Sequence, residues 1–200
     1  MSEKPWLKHY EPDLPHTLRP YPERTLLDVM SDTVRQRPEH TALIFRGTGM
    51  SYARLEQLTN AFGAALVAQG VKKGDRVALL LPNSPQSIIA QLGVWKAGAI
   101  ACPINSLYTP RELEHALNEV GAETVVVLTP FYAKVKSLQA QTPVRRVIAT
   151  NIKEYLPAFT RWLFTVVKEK QEGHRIDLQP GDLWWQDLMR QHADAPRPAV

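Results

Sequence analysis

Residues 70–104 read GVKKGDRVALLLPNSPQSIIAQLGVWKAGAIACPI, and the spacing of apolar residues in this stretch decides the fold. Arg76–Leu81 is almost continuously apolar. A strand with one wet face would alternate, so this run predicts a strand covered on both faces by helices. Asn83-Ser84-Pro85 opens a helix that continues through Ala97 and is closed by Gly98, and Ala99–Ile104 is the next strand. Strand, helix and strand in immediate succession form the unit from which parallel sheets are built.

The same rhythm extends toward the C-terminus. In Thr109-Pro110-Arg111-Glu112, threonine can cap a helix, proline sits at its first position, and glutamate can reach back to complete a capping box. That helix runs to about Val120, where Gly121 supplies a left-handed stop. Thr124–Leu128 is a second fully apolar strand, Phe131–Ala140 a helix and Val144–Thr150 another strand. Toward the N-terminus, Tyr52–Gln69 places Leu55, Leu58, Ala61, Phe62, Ala65 and Leu66 on one helical face and ends at Gly70. Thr41–Phe45, the turn Gly47-Thr48-Gly49 and a return at Met50–Ser51 read as a hairpin, preceded by a helix that Thr25 caps and Pro38 stops. The predicted fold class is therefore α/β, a mainly parallel sheet flanked by helices.

Four regions follow from this pattern. Met1–Pro22 holds five of the sixteen prolines and is expected to be an extended arm, because proline fixes φ and removes a donor. Residues 23–150 form the α/β subdomain. Residues 151–192 are an aromatic-rich helical extension, in which Tyr155–Gln171 reads as one helix with Tyr155, Phe159, Trp162, Leu163, Val166 and Val167 on a face. A loop at Pro180-Gly181-Asp182 then leads to Leu183–Met189, and residues 193–200 are an unstructured linker stub.

Composition narrows the function. The 200 residues are 44% hydrophobic and 22% charged, which excludes wholesale disorder. The net charge of +4 is scattered among both signs, which argues against a nucleic-acid surface. The lone cysteine, Cys102, excludes an internal disulfide framework and fits a reducing, cytoplasmic setting. Met1–Tyr10 lacks the apolar core of a signal peptide, and no run reaches the roughly 20 apolar residues that span a bilayer.

Catalytic constellations are not found in the sequence. It contains no GxxxxGK[ST] loop, no GxGxxG fingerprint, no HExxH or CxxC spacing and no GxSxG elbow. Glu112, Glu114, His115 and Glu119 share a helix and read as a solvated face, Cys102 as a buried inert thiol, and Lys96 as a partner of its own helix's C-terminal dipole. No residue is assigned a catalytic, cofactor-binding or metal-binding role.

Two segments carry a resemblance. Met50-Ser51-Tyr52-Ala53-Arg54-Leu55 resembles the first core motif of the adenylate-forming (AMP-binding) superfamily, a Ser/Thr-Tyr-x-x-Leu element opening a helix. Trp95-Lys96-Ala97-Gly98-Ala99-Ile100-Ala101-Cys102-Pro103-Ile104-Asn105 is similar to the second, and its continuation Leu107–His115 is similar to bacterial long-chain fatty acyl-CoA ligases. Gly70–Pro82 fits the same family, and a fainter likeness continues through Gly173-His174-Arg175 and Pro180-Gly181-Asp182.

The resemblance implies the N-terminal subdomain of the acyl-CoA synthetase/luciferase-like fold. It also implies a parent enzyme that joins fatty acid to CoA through acyl-AMP, using ATP, Mg²⁺ and CoA and releasing AMP and pyrophosphate. The family's pyrophosphate loop would follow Val200, so the chain by itself is expected to be inactive. The other reading is a complete, non-enzymatic binding or interaction module built from half a synthetase. Tyr155–Val167, flanked by Lys153, Lys168 and Lys170, reads either as a helix packed on a neighbouring lobe or as a peripheral contact with the inner membrane face. The arm Met1–Pro22 is free to dock on a second subunit, as in a homodimer, or on a further lobe.

Overall fold

The computed structural model describes residues 4–200, so Met1–Glu3 of the proline-rich arm lie outside the described residues. The centre is a five-stranded parallel sheet of β3 (Arg76–Leu80), β4 (Ile100–Pro103), β5 (Thr124–Leu128), β6 (Arg146–Thr150) and β7 (Leu183–Trp184). Its spatial order is β4-β3-β5-β6-β7. A separate antiparallel hairpin joins β1 (Thr41–Phe45) and β2 (Thr48–Ser51).

Successive side chains of a strand point to opposite faces, and here the two faces fill two cores. Val77, Leu79, Val126 and Ile148 pack with α2 (Tyr52–Ala68), α3 (Pro85–Lys96) and α7 (Trp185–Gln191). Ala78, Leu80, Val125, Val127 and Val147 pack with α4 (Pro110–Val120) and α5 (Thr129–Leu138). This double burial is the reason the strands read as unbroken apolar runs.

Local signals behave as predicted where they are self-contained. Thr25 caps α1 (Leu26–Gln36), Ser84 caps α3 and Thr109 caps α4, each in a reciprocal capping box. Gly121 ends α4 with φ 66°, and Gly98 follows α3 with φ 72°.

Four local expectations are corrected. The hairpin turns at Arg46-Gly47, both at positive φ (50° and 83°), one residue earlier than the Gly47-Thr48-Gly49 turn, because a two-residue loop of this hand matches strand twist. The proline-rich arm contains a 3₁₀ turn at Pro5–His9, which Pro5 can open because its missing N–H needs no partner there. Tyr155–Gln171 is not one α-helix. A 3₁₀ turn (Ile152–Tyr155) is cut by Pro157, α6 spans Ala158–Leu163, and the chain then widens into a π-helix over Phe164–Lys168, with Glu169 N–H donating to Phe164 O at 2.8 Å. Finally, the extension returns to the sheet: β7 pairs with β6 through Ile148↔Leu183 and Ala149↔Trp184.

Residues 193–200 run back along α2 and α3. The Ala193 carbonyl accepts from Gln57 Nε2 at 3.3 Å, and Pro198 and Val200 lie beside Gly63 and Gly98.

Candidate ligand-binding cleft

In a parallel α/β sheet, the crevice opens where neighbouring strands send their helices to opposite faces. Here that point lies between β3 and β5. From β3 the chain passes through α3 on one face to β4, and from β5 through α5 on the other face to β6. A cleft of about 570 Å³ lies at these strands' carboxyl ends, touching Pro82 and Asn83 after β3, Leu128 at the end of β5 and Ile152 after β6. The α6/π segment walls it with Leu163, Phe164 and Val167, and the hairpin turn closes one end with Phe45 and Arg46. Eight of the fourteen residues around it are apolar.

The polar framework beneath the cleft comes from residues just past the buried strands. Thr129, the first residue after β5, is buried and its Oγ1 lies 2.8 Å from His174 Nδ1. Asn151, the first residue after β6, donates from Nδ2 to the His174 carbonyl at 3.1 Å and to Glu169 Oε1 at 3.0 Å. The Asn151 carbonyl in turn accepts from Gln86 Nε2 at 3.0 Å, tying the start of α3 into the same network. Phe164 meets the His174 ring edge-on, with centroids 5.2 Å apart.

Burial holds the His174 imidazole below its ordinary pKa, overcoming the opposing pull of Glu172 and Glu169, while Lys153 acts in the same direction as burial. Thr129 and His174 have the separation of a hydroxyl–imidazole catalytic pair. However, Thr129 is only 1% exposed, and Asn151 grips the histidine's main chain rather than its ring. The pair is a clamp that fastens the segment after the π-helix to the sheet.

At the rim, Lys168 pairs with Glu172 at 3.4 Å, whereas Arg46 makes no ion pair among the described residues. No group of three or more His, Cys, Asp or Glu side chains is arranged to hold a metal ion among the described residues.

The residues weighed in the sequence fall elsewhere. His115 and Glu119 are an exposed pair at 3.3 Å, and Glu112 caps its own helix through Thr109. Cys102 is half-buried, and burial pushes its thiol up, which disfavours the reactive thiolate. Lys96 departs from expectation. Rather than turning to the carbonyls of α3, its Nζ enters the α2–α3 interface, 2.7 Å from Glu56 Oε2 and Thr59 Oγ1 and 2.8 Å from Asn60 Oδ1. Sequence reasoning missed Thr129, Asn151 and Arg46. For the first two the available signal was a polar residue directly after a buried strand.

Comparison with known proteins agrees with this architecture. The family described as AMP-binding enzyme matches residues 30–188. A long-chain-fatty-acid–CoA ligase of Bacillus subtilis is 36% identical over 175 residues, covering 86% of this chain and 30% of the relative. One from Yersinia pestis is 39% identical over 157 residues, covering 78% and 28%. The chain thus spans about three tenths of the length of these curated relatives. A solved long-chain-fatty-acid-CoA ligase from Archaeoglobus fulgidus superposes with a TM-score of 0.68 at 23% identity, over 90% of this chain and 32% of the other. That likeness establishes the fold. No helix among the described residues is long and apolar enough to cross a membrane.

Proposed function

The chain belongs to the AMP-binding enzyme family, and on that premise we propose that it is one scaffold lobe of a long-chain fatty acid–CoA ligase. The parent reaction is fatty acid, ATP and CoA to acyl-CoA, AMP and pyrophosphate, by way of acyl-AMP. The observation that carries this reading is the 36–39% identity to long-chain-fatty-acid–CoA ligases across most of the chain. The predominantly apolar cleft at the sheet's switch point supports it.

ATP, Mg²⁺ and CoA enter this proposal as requirements of the parent enzyme. The described residues do not form a metal-ligand set, and the sequence has no glycine-rich strand-to-helix loop to cradle phosphates. The role of this chain is to build the sheet, the α2–α3 layer and the cleft, and by itself it makes no acyl-adenylate. The division into arm (1–22), α/β subdomain (23–150), extension (151–192) and tail (193–200) belongs to the same proposal. So does the exposed stripe of Phe159, Trp162 and Val166, which we read as a surface packed on a neighbouring part of the parent. Flotation with anionic liposomes tests that point, and binding there would assign the stripe to a membrane surface instead.

The deciding experiment uses the polypeptide translated from the reading frame that contains this chain. Incubated with palmitate, ATP, Mg²⁺ and CoA, it is expected to release AMP and pyrophosphate and form palmitoyl-CoA. Absence of acyl-CoA with every long-chain acid tried would overturn the reading. Robust ATP–pyrophosphate exchange by residues 1–200 would overturn the claim that the chemistry lies outside them.

A further inference from the structure

We infer that residues 158–172, the α6/π segment, form a lid over the cleft, hinged at Pro157 and Gly173 and latched to the sheet side by Glu169. The inference concerns access to the cleft and is independent of what the cleft holds.

The segment lies on the fold rather than in it. Of its fifteen residues only Phe164 and Glu169 are part-buried, and the other thirteen are exposed. Leu163, Phe164 and Val167 nevertheless line the cleft together with Leu128 and Leu156, which are 5% and 8% exposed. A stretch that walls a cavity of about 570 Å³ while burying so little of itself has little packing to lose on opening.

Both ends suit a hinge, which needs only a few residues at element ends. Pro157 is extended (φ −53°, ψ 148°) and separates the 3₁₀ turn from α6; its ring fixes φ and leaves ψ to rotate. Gly173 has φ 72°, and a Cβ there would meet nothing nearer than Pro130 at 3.9 Å.

The two part-buried side chains are the ones that grip. Phe164 meets the ring of His174, which Thr129 fastens to the end of β5. Glu169 Oε1 accepts from Lys153 Nζ at 2.5 Å and from Asn151 Nδ2 at 3.0 Å, and the Glu169 carbonyl accepts from the His174 N–H at 2.8 Å. Beside the Pro157 hinge, Arg161 Nη2 donates to the Glu154 carbonyl at 3.0 Å. The π-winding accounts for both grips lying on one side. In an α-helix of 3.6 residues per turn, residues five apart point about 140° away from each other. A ring closed from Glu169 N–H to Phe164 O turns less per residue and swings the two toward one face.

The test is the rate at which iodoacetamide alkylates single thiols placed in residues 1–200 with Cys102→Ser. This chain is used because the outer stripe of Phe159, Trp162 and Val166 is uncovered in it. Leu128→Cys reports the cleft, with Leu156→Cys as its replicate, and Val126→Cys, fully buried in the sheet, reports global unfolding. The cleft thiol is expected to react at least about a hundredfold faster than the sheet thiol and more slowly than in the urea-unfolded chain, since local opening costs less than global unfolding. Glu169→Gln should speed the cleft thiol about tenfold, the lower end for a hydrogen bond to a charged group, and leave the sheet thiol unchanged.

Equal rates at the two thiols would mean a fixed wall, and a cleft thiol as fast as in the unfolded chain would mean no cover at all. Either overturns the inference, as does a Glu169→Gln effect that is absent or the same at both thiols. The measurement involves no fatty acid, ATP or CoA, so the ligase reading stands or falls separately.

Discussion

Lys96 Nζ stands 2.7 Å from Glu56 Oε2, and this buried ion pair joins the last turn of α3 to the first turns of α2. The ammonium also donates to Thr59 Oγ1 at 2.7 Å and Asn60 Oδ1 at 2.8 Å, so the buried charge has polar partners beside its counter-ion. Burial lowers the lysine's pKa, while Glu56 opposes that shift and favours the charged form. The pair clamps two helices that touch at Gly93 and Gly63.

Truncating Lys96 to methionine therefore leaves a largely buried carboxylate and two polar groups without their donor. The expected loss is about 3 kcal/mol in urea unfolding, the lower end for breaking a buried pair. Adding Glu56→Gln should recover part of it. If the double variant is as unstable as the sum of the two single variants, the two groups are not coupled.

Gly93 allows α2 and α3 to touch. A Cβ there would lie 2.8 Å from Phe62 Cδ1 and 3.2 Å from the main-chain nitrogen of Gly63. Phe62 is fully buried and stacked on Trp185 at 4.0 Å, so it has no room to yield. Gly93→Ala is expected to destabilise by about 1–2 kcal/mol, as overpacking outweighs the gain in helix propensity. Gly49→Ala meets only an ordinary 3.5 Å contact with Thr41 and should be near neutral by the same denaturation.

Tyr132 pins the loop that brings β7 back to the sheet. Its hydroxyl accepts from the Gln179 N–H at 2.8 Å and donates to Asp182, which Lys136 also contacts at 2.9 Å. Burial and the Asp182 carboxylate push the phenol up to about 12. Tyr132→Phe leaves the Gln179 N–H without its acceptor and Asp182 with Lys136 alone, and should cost about 1–2 kcal/mol by thermal or urea unfolding. The raised pKa also means that stability contributed by the neutral phenol is present below pH 10 and is lost as pH rises from 10 through about 12.

His174 makes the opposite pH prediction. Its folded-state pKa lies below the ordinary 6.5, so between the two values the unfolded chain binds more protons than the folded one. Its contribution is then fully present above pH 6.5 and declines as pH falls below it. Unfolding of the chain and of His174→Gln, measured from pH 8 downward, should show the variant lacking that part of the decline. Parallel curves would refute the assignment.

The legibility of the chain follows the range of the interactions. The capping boxes at Thr25, Ser84 and Thr109 each join residues three apart, and all three form. The unbroken apolar runs of β3, β5 and β6 announce strands buried on two faces, because burial on both sides removes the reason for alternation. The segment after Asn151 was less legible. Its apolar spacing suits one helix, yet Pro157, the π-winding and the pairing of Leu183 with Ile148 divide it. Periodicity does not report a change from i→i−4 to i→i−5 bonding.

Alone, the sequence determined the element types, their caps and the α/β class, since those depend on neighbours along the chain. Only the tertiary structure decided the order β4-β3-β5-β6-β7, and with it the cleft between the helices leaving β3 and β5. It also decided that Lys96 finds Thr59 across 37 residues and that His174 finds Thr129 across 45. The physical reason is the same in each case. A buried polar group must be satisfied by whatever the packed chain brings within about 3 Å, and that partner is chosen by topology rather than by local spacing.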